Sequence, residues 1–552
     1  MIKKVSPHFF LFLLLLILPA LACGFGSDSV VEEPPRNAVI VEVLANKSLE
    51  PWLQTVVSEF NDAEHELPGG RPIYVQLAAA ESGQAVSDMG ADGANAALWI
   101  PENEVWVDIL DDQGISAYVG ACESIAESPL VIGMWRPVAE SLGWPGLPLG
   151  WLDIGSLAAD QTAWAYYSGG EYGDRLRMSH AHPGLTGAGT DTLLAIVQAA
   201  QSKTDAVTPD DIAQPIVQAS VGAFESAVSS FNSNTDDLAR SMVERGPAYL
   251  GAGVMYESTV VQEGNGELVA IYPLEGTFVA SHPACINQQA DDETMEAAEL
   301  FRGYLLGEEG QQQALAAGLR PVNTAVLIGS PLDEAHGADP SQPEIIFEEP
   351  DAEAVYAVQD LWQSARKPVN LVMLLDTSGS MRGNKIESMQ AAAEQFVNQM
   401  GDEDTITLLE FYTQLNLLVD HASLGSDRAQ VIDAIRNLEP GGETILFDAI
   451  GAGAELVKAN ASPDVVNAIV VLTDGMDTSS SRNAFNDDLI SAATAGDTTV
   501  FTIAYGDDAD DELLSALAAR GNGNFYRGDE ASIAAIYEEM SAAFGGSLGV
   551  GR

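Results

Sequence analysis

Basic residues are scarce in this sequence of 552 residues: 24 Lys and Arg stand against 81 Asp and Glu, and the net charge at pH 7 is -57. A field of this sign repels nucleic acid and anionic membrane surfaces at long range, which argues against both as binding partners. It also keeps a protein soluble and attracts cations. A solvated acidic surface is the simplest interpretation; adaptation to salt or to a calcium-rich exterior is the alternative.

Long apolar runs are also scarce, and the one near the N-terminus has the features of a targeting segment. Lys3 and Lys4 precede the apolar run from Phe9 to Leu18, and small residues follow it. This order is typical of a secretory signal peptide, and the run is too short for a membrane-spanning helix. We therefore expect residues 1–22 to be a signal peptide and the mature chain to be exported.

The residues around Cys23 resemble the lipobox of bacterial lipoproteins, in which the cysteine becomes lipid-modified. Ala20 departs from the Leu that is usual there, and Ala20-Leu21-Ala22 also fits ordinary signal peptidase cleavage. Residues 23–37 are polar, contain a Pro pair and would serve as a tether. We expect a protein at the cell surface or in the periplasm, attached to the membrane by its lipid anchor only.

Two further cysteines, Cys122 and Cys285, lie beyond the signal region. In an exported protein two such cysteines favour one disulfide bond, because the compartment is oxidising. Two buried free thiols are the alternative.

A break in composition divides the remaining chain. Residues 330–350 contain four prolines and many acids, which predicts a linker. The spacing of Val355, Val358 and Leu361 then predicts a lead-in helix, and the two together fill residues 330–366. Residues 38–329 alternate between strand-like and helix-like segments, which is typical of βαβ units around mainly parallel sheets. This region is long for one sheet, so we predict two lobes.

Residues 367–545 show a cleaner pattern. Continuous apolar runs at 370–375 and 468–473 are typical of parallel strands covered on both faces. Two further strand patterns flank Tyr412-Thr413-Gln414, which predicts a hairpin. We therefore predict a doubly wound, mostly parallel sheet with one antiparallel edge, and residues 546–552 as a tail.

Side chains with oxygen donors follow these strands or precede a helix: Asp376, Ser378, Ser380, Thr444 and Asp474. Ligands of open α/β sheets bind at the carboxyl ends of strands, where such loops converge. Oxygen donors without His or Cys suit a hard cation, Mg2+ with Mn2+ or Ca2+ as alternatives. Each motif taken alone could be an ordinary turn, but three in order favour a metal site. The set has no evident general base or nucleophile, which favours binding over catalysis.

The Asp-x-Ser-x-Ser motif from Asp376, the Thr444 that follows Gly441-Gly442, and the Thr-Asp-Gly motif at 473–475 resemble the metal-ion-dependent adhesion site (MIDAS) of von Willebrand factor type A domains. The resemblance covers about residues 367–544. It implies a Rossmann-like fold, Mg2+ or Mn2+ in the site and cation-dependent binding of a protein. A carboxylate of that partner would then complete the metal coordination.

Residues 39–323 resemble the two-lobed extracellular solute-binding proteins of ABC transporters, a periplasmic-binding-protein-like fold. The resemblance rests on the strand 39–44, the segment Ala80-Glu81-Ser82-Gly83, the crossing strand 127–133, the helix start 182–190 and the return 272–278. If the crossing and return strands are neighbours, Cys122 lies near Cys285, and a disulfide in the first lobe follows.

In that family, strand-end loops and helix starts of both lobes hold the ligand, and N–H groups at helix starts favour anions. The resemblance implies ligand binding by Ser48, Ser82, Ser128 and Thr186. A helix cap or a turn is the alternative for each of them.

These features predict a binding protein. The N-terminal region binds a small solute or acts as a scaffold, and the C-terminal domain makes metal-dependent contact with a protein partner in adhesion or assembly. The alternative is the solute receptor of an ABC importer with an accessory domain. An enzyme is a third class, since an acid–base pair is conceivable: His180 and His182 lie near Asp191, and Glu257 follows Tyr256. Chance placement explains them better, because only seven histidines are scattered over the chain.

Overall fold

The computed structural model describes residues 34–550. The predicted signal peptide, Cys23 and most of the predicted tether lie outside the described residues. Within 34–550, no helix is both long and apolar enough to cross a membrane. The chain forms a two-lobed α/β unit followed by an α/β unit built on one sheet, which is the fold class predicted from the sequence.

The N-terminal region alternates between strands and helices. Its strands are β1 (Val39–Ala45), β2 (Ile73–Ala79), β3 (Leu98–Ile100), β4 (Cys122–Ser124), β5 (Ala126–Trp135), β6 (Met178–Ser179), β7 (Ala252–Tyr256), β8 (Leu268–Ile271), β9 (Val279–Ala280), β10 (Pro283–Ile286) and β11 (Arg320–Pro321). Its helices are α1 (Glu50–Asp62), α2 (Ser82–Asp92), α3 (Val105–Asp112), α4 (Arg136–Ser141), α5 (Trp151–Ala159), α6 (Gln161–Ser168), α7 (Gly187–Gln201), α8 (Pro209–Ile212), α9 (Pro215–Glu225), α10 (Thr235–Arg245), α11 (Glu257–Glu263), α12 (Asp292–Leu305), α13 (Glu308–Ala316) and α14 (Ala352–Ala365).

The first lobe is a five-stranded sheet with the order β2-β1-β3-β10-β4. β1 runs parallel to β2 and β3. Alternate residues of β1 are buried, as the two-residue repeat of a strand requires. Their side chains pack in one apolar cluster with Trp52 and Phe60 of α1.

The second lobe has the strand order β11-β5-β7-β6, with β8 and β9 also paired to β5. The expectation of mainly parallel sheets is wrong here. β5 pairs antiparallel with β7, β8, β9 and β11, and only the β6–β7 pair among them is parallel. The chain enters this lobe along β5 and returns through β8 and β9, so the returning strands run in the opposite direction.

Two crossing segments join the lobes side by side. β4 leads into β5, and β9 leads into β10, with Pro283 opposite Ser124 in the sheet of the first lobe. Cys122 and Cys285 are register partners in the β4–β10 pair, and they form a disulfide bond. This is the pairing and the lobe predicted from the sequence.

The C-terminal unit is a doubly wound sheet. Its strands are β12 (Val369–Asp376), β13 (Thr405–Phe411), β14 (Leu415–Ser423), β15 (Val466–Thr473), β16 (Thr499–Tyr505) and β17 (Asn522–Gly528). Its helices are α15 (Asn384–Gln399), α16 (Leu424–Arg436), α17 (Leu446–Ala459), α18 (Asp487–Ala493), α19 (Asp511–Arg520) and α20 (Ile533–Ala543). The strand order is β14-β13-β12-β15-β16-β17, and only the β13–β14 hairpin is antiparallel within the described sheet.

Both faces of this sheet are covered, as the continuous apolar strands predict. Leu371, Met373 and Leu375 of β12 pack into the cluster on one face, and Val372 and Leu374 pack into the cluster on the other. The ends of the strands are therefore the places where a ligand could reach this sheet, and we expect functional residues there.

The segment before the C-terminal unit packs on the N-terminal one instead of standing free. Within residues 330–350, Phe347 N donates to Thr277 O at 2.9 Å. In α14, Val358 and Trp362 join the core of the second lobe, whereas Val355 joins a cluster of the first lobe. The helix therefore bridges both lobes.

The C-terminal residues return to the same place. His182 Nε2 donates to Gly546 O at 2.8 Å, and Val550 N donates to Gly184 O at 2.8 Å. The Val550 side chain is buried in an apolar cluster with Trp106 and Tyr118 of the first lobe. The end of the described chain thus contacts the loop before α7 and the first lobe together.

Replacing both Cys122 and Cys285 by Ser is expected to lower the free energy of unfolding by about 2–5 kcal/mol, because the bond closes a long loop that spans 163 residues. Urea unfolding under non-reducing conditions measures the change. A reductant should destabilise the parent chain and leave the variant unaffected. Equal stability of parent and variant without reductant would contradict the structural role of the bond.

Candidate metal site

The predicted metal ligands meet at the carboxyl edge of the C-terminal sheet. β12 ends at Asp376, and β15, its parallel neighbour, ends at Thr473 directly before Asp474. Ser378 and Ser380 follow β12, and Ser380 lies in a 3-10 turn at Gly379–Met381. Adjacent parallel strands therefore place both carboxylates side by side, as strand ends in doubly wound sheets do.

Hydrogen bonds join the two loops into one constellation. Thr473 Oγ1 donates to Asp376 Oδ2 at 2.6 Å, and Ser378 N donates to Asp376 Oδ1 at 2.7 Å. The Ser378 and Ser380 hydroxyls lie 3.0 Å apart, and Ser380 Oγ donates to Asp474 Oδ1 at 2.7 Å. An unbroken chain of contacts thus links Asp376 to Asp474.

The third loop is held against the first by its backbone. Gly441 N donates to Thr377 O at 2.7 Å, and Gly379 N donates to Gly442 O at 3.1 Å. Gly442 has a φ of +81°, and a Cβ there would lie 2.2 Å from Thr413 Oγ1. A glycine is therefore required at this position, both for its conformation and for the close approach.

This loop brings Thr444 to the site. Its hydroxyl lies 3.9 Å from the position that a Cβ would take on Gly475, the residue after Asp474. Thr444 is buried, as are Asp376 and Asp474. The structure thus gathers all the predicted metal residues in one place.

Burial has a clear effect on the charge of the site. Desolvation raises the pKa of Asp376 to about 6, and the nearby charge of Asp474 also raises it. Hydrogen bonds from Thr473 and Ser378 stabilise the ionised form and partly offset this rise. Two carboxylates so close together favour a cation between or beside them.

Lys385, which was not predicted from the sequence, supplies one such cation. Its Nζ lies 2.7 Å from Asp474 Oδ2, and the carboxylate is fully buried. The lysine is in the first turn of α15, shortly after the Asp-x-Ser-x-Ser loop. Lys and Arg are rare in this chain, 24 among 552 residues, so a lysine this close to the Asp-x-Ser-x-Ser motif could have indicated an ion pair at the site.

The donor set fits a hard divalent cation. It offers two carboxylates and three hydroxyls, which are the ligand types that Mg2+, Mn2+ and Ca2+ accept. Between residues 34 and 550, no group of three or more His, Cys, Asp or Glu is arranged to hold a metal ion. Any metal at this edge would therefore depend on the Ser and Thr hydroxyls.

The predicted solute-binding residues of the first lobe have partners within the protein. Ser48 Oγ donates to Asn46 Oδ1, and Ser82 Oγ accepts from Glu102 N at 3.2 Å. Both serines are buried. Ser82 begins α2, whose second residue, Gly83, donates its N–H to Leu185 O of the second lobe at 2.8 Å. Ser82 therefore lies at the boundary between the lobes.

In the second lobe, Thr186 caps α7 by accepting from Gly189 N at 2.9 Å. Ser128 Oγ accepts from Ser258 N at 3.1 Å. Thr186 stands next to the boundary, whereas Ser128 is held within its own lobe. Thr186 thus makes a cap contact and Ser48 a turn contact, whereas Ser82 and Ser128 accept from backbone N–H groups distant in the sequence. The nearby acid Glu102 was not predicted from the sequence.

His180, His182 and Glu257, which were considered for catalysis, have partners within the protein. His180 Nε2 lies 2.9 Å from Glu225 Oε1 in the core, and Glu257 forms an ion pair with Arg320 at 2.7 Å. Burial lowers the pKa of His182 to about 3. These contacts hold the three side chains within the folded core.

Replacing Asp376 by Ala is expected to abolish Mg2+ binding, because it removes one of the two carboxylates of the site. Calorimetric titration of the full mature chain with Mg2+ measures the affinity. Asp420→Ala, at an exposed acid of β14, is the control and should bind as the parent does. Equal affinity of the Asp376→Ala variant and the parent would show that the metal binds elsewhere.

Metal affinity is also expected to depend on pH. The free protein keeps a proton on Asp376 below a pKa of about 6, whereas the metal-bound form cannot. Affinity should therefore be constant above that pH and fall by roughly tenfold for each pH unit below it. Mn2+ titrations between pH 5 and pH 8 test this, and a flat profile would contradict a role for Asp376.

Comparisons with known proteins agree with this architecture. The profile of the family described as bacterial extracellular solute-binding protein matches residues 41–320. The profile of the von Willebrand factor type A domain matches residues 370–539. The first match covers the two lobes and the second covers the metal constellation.

Individual relatives resemble parts of the chain. An uncharacterized protein of Synechocystis sp., sll0103, is 27% identical; the match covers 29% of this chain and 37% of that protein. Inter-alpha-trypsin inhibitor heavy chain H3 of Rattus norvegicus is 26% identical; the match covers 32% of this chain and 21% of that protein. This chain therefore spans less than half the length of these relatives.

Among solved structures, a periplasmic thiamin binding protein is 12% identical, with a TM-score of 0.45; the match covers 61% of this chain and 99% of that one. The family matches account for both units of the fold. The chain belongs to the bacterial extracellular solute-binding protein family, and it carries a von Willebrand factor type A domain after the solute-binding region.

Proposed function

We propose that this protein is an exported, lipid-anchored binding protein in which the von Willebrand factor type A domain, here called the vWA domain, binds a protein partner through a divalent cation. The observation that carries this proposal is the contact chain from Asp376 through Ser378 and Ser380 to Asp474. It presents oxygen atoms of separate loops to one place. When bound, Mg2+ would supply a coordination position for a carboxylate of the partner.

The surface around the site supports binding of a protein. Asp376 and Asp474 are buried, but Ser380 and Gly442 at the rim are exposed. Met476, two residues after Asp474, is 58% exposed. An exposed, flexible apolar side chain beside polar ligands is typical of surfaces that bind proteins.

Lys385 has a defined role in this proposal. It neutralises Asp474 at 2.7 Å, so a cation that enters the site would compete with the ammonium group. Asp376 and Asp474 would hold the cation, and Ser378, Ser380 and Thr444 would supply neutral oxygens.

The N-terminal region would bind a small solute between its lobes or act as a scaffold. We propose the domain limits 38–329 for this region, 330–366 for the linker and lead-in helix, and 367–545 for the vWA domain. A signal peptide at 1–22, a tether at 23–37 anchored through Cys23, and a tail at 546–552 complete the chain. The proposed activity is binding, without a catalytic step.

Selection of random displayed peptides on the full mature chain in Mg2+ tests the proposal. Enriched peptides are expected to contain an Asp or Glu whose replacement by Asn or Gln removes binding, because that carboxylate completes the metal coordination. Binding should be lost in EDTA and on the Asp376→Ala chain, and kept on the Asp420→Ala chain. Peptides that bind in EDTA, or bind without an acidic residue, would contradict it.

A further inference from the structure

Two helices begin at the boundary where the lobes of the solute-binding region meet. α2 begins at Ser82 in the first lobe, and α7 begins at Gly187 in the second. Gly83 N donates to Leu185 O across this boundary at 2.8 Å. Helix starts carry unpaired N–H groups and partial positive charge, so they favour anions such as oxyanions.

The protein's own carboxylate occupies the start of α7. Glu102 follows β3 in the first lobe, and its Oε1 accepts from Gly187 N in the second lobe at 2.8 Å. Thr186 accepts from Gly189 N in the same turn. The N–H groups that would hold an anion are therefore satisfied from within, and Glu102 would repel an anion that approached.

Further carboxylates stand at the same boundary. Glu81, directly before α2, accepts from Asn46 Nδ2 at 3.0 Å, and Asp191 lies in the first turns of α7. Glu81, Glu102 and Asp191 are all buried. Burial is the main cause that raises the pKa of each carboxyl, and it raises the pKa of Glu102 to about 7. At Glu81, the positive charge of Lys47 lowers the pKa and partly offsets burial.

Several polar atoms of this cluster have no hydrogen-bond partner among the described residues. They are Glu102 Oε2, both side-chain polar atoms of Asn103, Asp191 Oδ2 and the hydroxyl of Tyr256. Tyr256 is 2% exposed and Asn103 is 1% exposed. His282 N donates to Glu102 O at 3.0 Å, and the His282 and Tyr256 ring centroids lie 6.1 Å apart, so Tyr256 lies near Glu102. Unpaired polar atoms at this degree of burial are rare in proteins, and they indicate a polar ligand.

The lobes contribute to the cluster together. Glu81, Glu102 and Asn103 come from the first lobe, and Asp191 and Tyr256 come from the second. Three of these five atoms only accept hydrogen bonds when the carboxyls are ionised, so a hydrogen-bond donor would satisfy them. A positive charge on that donor would favour the ionised carboxylates, which burial disfavours. The described residues hold no group of three or more His, Cys, Asp or Glu arranged to hold a metal ion, which favours a larger cation.

We propose that the boundary between the lobes binds a small organic cation, through an ammonium or guanidinium group held by Glu102, Asp191 and Tyr256. This inference rests on the proposed solute binding by the N-terminal region and names the class of solute. It replaces the oxyanion expected from the helix starts. Glu81 and Asn103 would support the same group from the side of the first lobe.

Binding of named probes to the full mature chain tests the inference. Putrescine and agmatine are the cations with N–H donors, choline is a cation without them, and sulfate and molybdate are the oxyanions. Calorimetry in an amine-free buffer at physiological salt gives affinity and stoichiometry. Putrescine or agmatine is expected to bind with one site per chain, and choline, sulfate and molybdate are expected not to bind.

Isosteric variants separate this site from general attraction to an acidic protein. Glu102→Gln and Asp191→Asn should each weaken binding of the amine by about tenfold or more, because each removes a charge-assisted hydrogen bond. Glu140→Gln, at an exposed acid on α4, is the matched control and should bind as the parent does. Thermal unfolding of each variant verifies that it is folded.

The outcomes also separate this inference from the proposed function. Binding of sulfate or molybdate without binding of amines would overturn the cation class and keep solute binding. Binding of none of the probes, or equal amine binding by Glu102→Gln and the parent, would overturn the site. The Asp376→Ala chain should bind amines normally, so loss of its metal-dependent peptide binding is an independent result.

Discussion

Burial of carboxylates at the ends of strands is the constraint on which both units of this protein depend. Removing an ionised carboxylate from water is costly unless hydrogen bonds and a cation compensate it. In the vWA domain, Asp376 receives hydrogen bonds from Thr473 and the Ser378 backbone, and Asp474 pairs with Lys385. At the lobe boundary, Glu102 Oε1 accepts from Gly187 N, and Glu102 Oε2 has no hydrogen-bond partner among the described residues. In each unit, buried carboxylates thus lie where separate loops or lobes meet.

The two units are also physically joined. Arg366, directly after α14, forms a buried ion pair with Asp404 of the vWA domain at 2.9 Å. The loop before α7 receives the C-terminal segment through His182 and Gly184. The same loop leads into the lobe boundary at Gly187. A continuous set of contacts therefore runs from the end of the vWA domain to the cluster around Glu102.

The sequence specified the vWA domain well because its strands are buried on both faces, so their apolar runs are continuous. For example, β13 ends at Phe411, directly before the predicted hairpin turn at Tyr412-Thr413-Gln414. It did not reveal β17, a partly exposed edge strand (NGNFYRG) with two glycines between polar residues. In the second lobe, the antiparallel pairs of β5 depend on the return of distant strands. Glu102 was missed, and Asp191 was considered only for catalysis, because an acid near a strand end or helix start looks like a turn residue. Only the tertiary fold brings the two together.

Diffraction from crystals of the full mature chain grown with Mn2+, measured at the manganese absorption edge, tests the central claim most directly. We predict an anomalous peak among the predicted ligands Asp376, Ser378, Ser380, Thr444 and Asp474. We also predict that the Lys385 ammonium group has moved away from Asp474. The absence of a peak there, with Lys385 still paired to Asp474, would contradict the assignment of this edge as a metal site.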